Sequence, residues 1–404
     1  MIGEDTLKKL VRKNNSRILM VVMDGVGDIP DQSKKTALEQ AETPHLDKLA
    51  AGSSLGSAVP VDFGITPGSG PGHLGLFGYD PLKHEIGRGV LEASGIGIDL
   101  EEDCLAIRGN FATIDENKII TDRRAGRIST KKNRQLCKKI NTGLEKIKDI
   151  RVRVYPGKEH RFVIIFKGTG LNDNLTDADP QQTGKKEKFV EAGDRKSQKA
   201  RDVANSFIKQ VQKILKEEPK ANSCLLRGLA KKPGISGFSE KYGLSARALA
   251  TYPMYKGLAR LVGMDIANGL KSMEDEVEDL KANSATGKYD FFYFHVKKTD
   301  SYGEDGNRPK KIEIIEKFDK LLPEILALDF DVVCVTADHS TPTPLKAHSW
   351  HPVPLLINGP SIRVDEGTRF TENECLKGAY SQVYSKHIMK ILLSQADKLK
   401  KYGA

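Results

Sequence analysis

An α/β fold with a mainly parallel sheet flanked by helices, interrupted by an inserted α+β domain, is predicted by three features of the chain. Apolar runs rich in Val, Ile and Phe recur between helix-patterned segments, three of these runs end at acidic residues, and closely spaced short strands take over in the middle. The three runs are residues 18–23 before Asp24, 290–296 leading to Asp300, and 331–336 before Asp338 and His339. Continuous apolar runs bounded by turn residues read as strands buried on both faces, and in open α/β sheets ligands bind beyond the carboxyl ends of such strands. Carboxylates far apart in the chain are therefore expected to meet at one sheet edge, as a metal site requires.

Taken in order, residues 18–23 form the first strand. Thr43 and Pro44 open a short helix over 45–51 that Gly52 ends, with the threonine as N-cap and the proline at the first helical position. Gly68, Gly70 and Gly72 surround Ser69 just before a short helix containing His73, Leu74 and Phe77, and residues 87–99 read as a glycine-rich connection. From Arg108 onward, 110–113, 118–121, 152–155 and 162–166 read as short strands, with a lysine-rich helix over 130–147 among them. A polar passage over 173–202 and a helix reaching Glu217 follow. After Asn222 come a strand at 225–228, helices covering 258–263 and 272–280, and the strongest strand signal, 290–296. An amphipathic helix over 309–328, with Ile312, Ile315, Phe318 and Leu322 on one face, then leads to the strand ending at Thr336. Strand, helix and strand make a βαβ unit whose right-handed crossover sets the two strands parallel. The expected division is a core of residues 1–107 and 220–404 with an insert of residues 108–219.

A chain of 404 residues can hold two domains. No apolar run approaches the roughly 18 residues of a membrane span, and the acidic, broken start offers no secretory signal. Five cysteines without a CxxC pair argue for a reducing cytoplasm and against a disulfide framework or zinc ribbon. The formal net charge of +10 raises nucleic acid as a partner. Its surplus is concentrated between Lys131 and Arg161, where eleven basic residues meet three acidic ones and Tyr155 is the lone aromatic. Binding single strands needs aromatic stacking platforms, so a small anionic molecule is the expected partner, not nucleic acid or a membrane.

The segment TADHSTPTPLKAHSWH, 336–351, places Asp338, His339, His348 and His351 directly after a buried strand. Carboxylate with imidazole suits zinc, manganese or a similar divalent ion. Asp24 precedes Gly25 and Gly27, which let the backbone turn tightly beside an ion. Asp300, Glu304 and Asp305 lie close together without the alternating oxygens of an EF-hand loop. A serine at a helix N-terminus, as Ser69 is expected to be, has backbone N–H groups and the positive dipole end around it, which favours an alkoxide and an attached phosphate. The glycine spacing matches neither a Walker A loop nor a dinucleotide fingerprint.

Seven strings carry a resemblance: MDGVGD at 23–28, TPHLDKLA at 43–50, TPGSGPGHLGLFGYDP at 66–81, GRGVLEASGIGI at 87–98, RGNFAT at 108–113, DRRAGRI at 122–128 and TADHSTP at 336–342. From about residue 16 to the C-terminus, the chain resembles the archaeal-type cofactor-independent phosphoglycerate mutases of the alkaline phosphatase superfamily. The resemblance implies an alkaline-phosphatase-like core interrupted by a transferase domain. It also implies interconversion of 3-phosphoglycerate and 2-phosphoglycerate through a phosphoserine, with two divalent metal ions (Mn, Mg, Co or Zn) and no 2,3-bisphosphoglycerate.

Carried onto this chain, the resemblance makes Ser69 the nucleophile and gives one metal to Asp24, Ser69, Asp338 and His339. The second metal falls to Asp300, His348 and Glu304, the last at a position where relatives usually have histidine. Carboxylate is harder than imidazole, which leans that site toward manganese or magnesium. Asp122, Arg123, Arg124, Arg127 and Arg161 are the expected substrate-binding residues, since arginine's planar fork meets phosphate or carboxylate with two bonds. Lys256, Lys346, His73 and His351 are alternatives for positioning the migrating hydroxyl. A mutase must retain glycerate and keep water from the phosphoserine, so the insert is expected to close over the core. An exposed metal site would be a phosphatase, and the alternative expectation is a metal-dependent phosphohydrolase or another phosphomutase of the same superfamily. The resulting expectation is a cytoplasmic enzyme of phosphoglycerate, with a homo-oligomer compatible with the sequence.

Overall fold

The computed structural model describes residues 3–403, so positions 1, 2 and 404 of the expected core segments lie outside the described residues. It divides into two compact units, one made of the residues up to Glu85 and from Ile235 onward, the other of Ile86–Gly234. In the first unit an eight-stranded sheet runs through Asp265–Ile266, Ala246–Leu249, Phe291–Val296, Ile18–Met23, Val332–Thr336, Val353–Asn358, Ser54–Val59 and Gln382–Tyr384. Val353–Asn358 is antiparallel to both of its neighbours and every other pairing is parallel. Phe291–Val296, Ile18–Met23 and Val332–Thr336 are buried at every residue, which is why their sequences do not alternate. The two strands of the expected βαβ unit are parallel but not neighbours, because Ile18–Met23 lies between them and pairs with both.

Register decides what emerges at the strand ends. Met23 is opposite Val296 and Val22 opposite Thr336. Continued past the strands, the same registers put Asp24 level with Lys297 and with Asp338. The helix Arg308–Leu326 buries Ile315, Phe318, Leu322 and Ile325, but also Arg308, Lys311 and Asp319, whereas Ile312 is only half-buried. Each of these charges has a partner. Asp319 takes the N–H groups of His45 and Leu46 at 3.4 and 2.7 Å, capping the Pro44–Ala50 helix where the Thr43 side chain does not.

The second unit carries an antiparallel sheet in the order Ile120–Asp122, Cys104–Ile114, Arg161–Lys167, Ile150–Pro156 and Lys146–Ile147, with Ser223–Lys231 also pairing with Cys104–Ile114. Leu136 and Ile140 from the helix Thr130–Gly143, and Val203 and Phe207 from Gln198–Ile214, share one core with Val152, Ile164 and Phe166 of this sheet. The lysine-rich helix thus ends at Gly143, and Lys146–Ile147 joins the sheet instead. This α+β unit extends past 108–219 at both ends. Residues 87–99, read as a connection, contain the helix Arg88–Gly95 with Val90 and Ala93 buried. Its glycines hid it: a Cβ on Gly89 would stand 2.3 Å from the Ala106 carbonyl oxygen, so close packing, not flexibility, selects glycine there.

Candidate active site

Asp24, Asp338 and His339 bring ligand atoms within 4.8 Å of one another, and so do Asp300, His339 and His348. His339 belongs to both groups. Asp24, Asp338 and His339 are fully buried and Asp300 almost so. Gly25 makes the turn after Asp24 with φ at +62°, and a Cβ there would lie 2.4 Å from Thr341 Oγ1 and 2.9 Å from Asp300 Cβ. Conformation and space both require glycine at that point.

Hydrogen bonding fixes which nitrogen each imidazole offers. Thr341 Oγ1 donates to Asp300 Oδ1 at 2.8 Å and lies 3.0 Å from His339 Nδ1. A hydroxyl that donates to a carboxylate must accept from the ring, so His339 carries its proton on Nδ1 and presents a lone pair on Nε2. His348 Nδ1 donates to the Pro67 carbonyl at 2.9 Å, which again turns Nε2 toward the cluster.

The carboxylates are electrostatically crowded. Burial, and then the charge of Asp24, push Asp338 up to about 7. Burial also opposes ionisation of Asp24, but His295 and Lys297 outweigh it and hold Asp24 well below the usual range. At Asp300 burial is likewise overcome, chiefly by the hydrogen bond from His348, and the pKa falls to about 2. Burial would lower His348, yet Asp300 and the Pro67 carbonyl raise it to about 9. Asp24 Oδ1 and Asp338 Oδ2 are buried without any hydrogen bond, at 3.4 and 3.2 Å from His339 Nε2. Buried acceptors of this kind need a donor or a cation. Two carboxylates and an imidazole lone pair suit a divalent ion of the manganese-to-zinc type.

Ser69 opens the helix Ser69–Leu76 after Gly68, and its Oγ lies 3.2 Å from His339 Nε2. The helix can come this close because position 72 lacks a side chain: a Cβ there would stand 2.2 Å from the Asp338 carbonyl oxygen. His73, fully buried one turn on, donates Nδ1–H to the Ser69 carbonyl at 2.9 Å and lies 3.0 Å from Asp338 Oδ2. Burial lowers its pKa to about 4, so it is a neutral clasp on the Ser69 backbone and does not touch the hydroxyl. His351 pairs its Nδ1 with Ser349 Oγ at 2.9 Å and belongs to neither ligand group. Lys346 is exposed and Lys256 half-buried.

Glu304 ends the helix Lys298–Glu304, one turn after Asp300. Its Oε1 is 3.8 Å from His348 Nε2 and its side chain is 57% exposed, so it stands at the margin of the second group, whose third atom comes from His339. Burial and the charge of Asp300 raise its pKa. Sequence reasoning missed Lys297. Its Nζ lies 2.9 Å from Asp24 Oδ2 and also bonds Asp300 Oδ2. Burial alone would discharge it, but these two carboxylates raise its pKa and keep it charged. The available signal was position: Lys297 is the first residue after a buried strand, as Asp24 is.

In the second unit Asp122 accepts the N–H groups of Arg124 and Gly126, both at 2.7 Å, and so builds the turn that carries the arginines. Arg123 grips buried Asp179 with two bonds of 3.0 and 2.7 Å, while Arg124, Arg127 and Arg161 are exposed. Two further arginines stand out. The Nε of Arg108 is buried without a hydrogen-bond partner, while that of Arg227 lies 3.5 and 3.8 Å from Asp177 and Asp179. Burial lowers the pKa of Arg108, and Arg161, Arg88 and Arg227 press it further against the pull of Glu92. Such a surplus of like charge favours an anion.

Comparison with known proteins identifies the family. The family model for 2,3-bisphosphoglycerate-independent phosphoglycerate mutase matches residues 50–221. A probable 2,3-bisphosphoglycerate-independent phosphoglycerate mutase of Thermosipho africanus is 48% identical over 401 residues, 99% of each chain. A relative of the same name from Thermotoga neapolitana is 50% identical over 398 residues, 98% of each chain. The solved cofactor-independent phosphoglycerate mutase of Thermoplasma acidophilum matches with a TM-score of 0.72 at 28% identity, over 94% of this chain and 100% of that one. Sharing about half its residues with such relatives along almost its whole length, the chain belongs to the 2,3-bisphosphoglycerate-independent phosphoglycerate mutase family.

Proposed function

We propose that the protein interconverts 3-phosphoglycerate and 2-phosphoglycerate through a phosphoserine on Ser69, at a site for two divalent cations and without bisphosphoglycerate. The observation that carries this reading is the placement of Ser69 Oγ, 3.2 Å from Nε2 of the imidazole common to both ligand groups. Asp24, Ser69, Asp338 and His339 would hold one cation. Asp300, His348 and Glu304 would hold the other, with His339 near both. When bound, the cations supply Lewis acidity and neutralise the charge of phosphoryl transfer. Ser69 Oγ attacks the phosphorus in line, the P–O bond to glycerate breaks, and the proton of Ser69 passes to the departing glycerate oxygen. Return of the phosphoryl group to the other hydroxyl completes the isomerisation. First-turn N–H groups of the Ser69 helix offer donors to the phosphoryl oxygens. Of the substrate-binding set Asp122, Arg123, Arg124, Arg127 and Arg161, the exposed Arg124, Arg127 and Arg161 are assigned to glycerate's carboxylate, with Asp122 and Arg123 holding the turn that carries them.

A small phosphorylated acid, not nucleic acid, is the partner in this reading. A cytoplasmic setting fits the five free cysteines, all of them buried. No helix among the described residues is long and apolar enough to cross a membrane.

Purified protein given 3-phosphoglycerate and Mn²⁺ is expected to produce 2-phosphoglycerate with little free phosphate. Dominant phosphate release in the same assay would make it a phosphohydrolase. Glu304→His is expected to leave the fold intact and to change the ratio of Mn²⁺- to Zn²⁺-supported activity by about ten-fold. An unchanged ratio of Mn²⁺- to Zn²⁺-supported activity would remove Glu304 from the ligand set.

A further inference from the structure

Lys297 stands where the two ligand groups meet, and the mechanism above gives it no task. It follows the buried strand Phe291–Val296, and register sets it level with Asp24. Its side chain is 16% exposed, with Nζ 2.9 Å from Asp24 Oδ2 and bonded to Asp300 Oδ2. It therefore touches one carboxylate from each group. The rings of Tyr252 and Tyr255 lie 5.8 and 5.4 Å from the same ammonium, within the range where an aromatic face helps to hold a cation.

The oxygens are divided between two uses. Asp24 Oδ1 is 3.4 Å from His339 Nε2, and Asp300 Oδ1 is 3.4 Å from His348 Nε2. Each aspartate thus gives Oδ2 to the lysine and keeps Oδ1 beside an imidazole ligand, so an ammonium and metal ions can be accommodated together. Asp24, Asp300, Asp338 and Glu304 carry four negative charges, which two divalent ions would cancel. The lysine then leaves the site with one positive charge before any phosphoryl group arrives.

We propose that Lys297 is a fixed third cation of the site, which loosens the divalent ions and strengthens the hold on the phosphoryl dianion. This rests on the two-cation reading. Repulsion between an ammonium and divalent ions a few ångströms away in a poorly solvated site is worth more than a factor of ten in affinity, and attraction to a dianion is comparable. A lysine that only oriented the aspartates would act in the opposite sense, because losing such a partner weakens metal binding.

Lys297→Met keeps the length and removes the charge, Lys297→Gln is a second neutral variant should methionine disturb the fold, and Lys297→Arg retains the charge. Metal-stripped proteins are titrated calorimetrically with Mn²⁺, and the Mn²⁺-loaded proteins with inorganic phosphate. Wild type is expected to take up two Mn²⁺ per chain. A folded neutral variant is expected to bind Mn²⁺ about ten-fold more tightly and phosphate about ten-fold more weakly, with the arginine variant near wild type in both. Weaker or unchanged Mn²⁺ binding in the neutral variant, or unchanged phosphate binding, would overturn the proposal. Fewer than two Mn²⁺ on wild type would instead overturn the two-cation reading beneath it.

Discussion

Ser69→Ala is expected to lower the rate of 2-phosphoglycerate formation by about a thousand-fold or more, because it deletes the atom that accepts the phosphoryl group. The fold should survive. Alanine suits the first turn of a helix at least as well as serine, and the Ser69 hydroxyl's hydrogen bond runs to His339. Asp24, Asp338, His339, Asp300 and His348 all remain, so calorimetry should still find two Mn²⁺ per chain. Wild type incubated with phosphoglycerate labelled in its phosphoryl group is expected to carry label on the protein, and the variant none. Turnover within ten-fold of wild type would exclude a phosphoserine.

That Asp24 and Asp338, which the structure brings together with His339, stand out in the sequence follows from burial on both faces of the central strands. Such strands are written as unbroken apolar runs, and an acidic residue just beyond each is conspicuous. The same rule hid Lys297 and Lys311, since a hydrophobic pattern treats lysine as outside. Lys311 and Asp319 occupy the buried stripe of Arg308–Leu326, where satisfied polar partners, which no local pattern encodes, replace apolar contact. Sheet order was equally illegible. Ile18–Met23 sits between two strands nearly three hundred residues further along, and only the folded register shows that Asp24 joins Lys297 to Asp338. Glu304 was located by its spacing from Asp300, but its distance from the cluster depends on the end of a short helix.

Lys311→Met is expected to destabilise the unit that carries the ligands by about 3–5 kcal/mol, the usual penalty for removing one member of a buried charged set. Lys311 is fully buried. Its Nζ donates to the carbonyls of Gly25, Gly27 and Thr341 at 3.0, 3.3 and 3.0 Å and lies 3.6 Å from Asp28 Oδ2. Gly25 follows Asp24 and Thr341 is two residues past His339, so one ammonium ties together the loops that hold the first ligand group. Methionine would fill the space but leave those carbonyls short of a donor, with Asp28 facing half-buried Glu372, which accepts the Asp28 N–H at 3.0 Å. Arg308, 3.7 Å from Asp28 Oδ1, keeps part of the balance and places the loss toward the lower end. The single tryptophan, Trp350, belongs to the same unit, so its fluorescence during denaturant unfolding reports that unit directly. A loss below about 1 kcal/mol would mean that the Thr341 N–H bonds to the Gly25 and Gly27 carbonyls, at 3.2 and 3.0 Å, hold the loops unaided, well short of the penalty for an unpaired buried group. Lys311 props the ligand loops, so its loss should weaken Mn²⁺ binding, whereas loss of the opposing charge at Lys297 should strengthen it. The two lysines flank the same aspartate loop, and the opposite signs of their substitutions separate scaffold from charge.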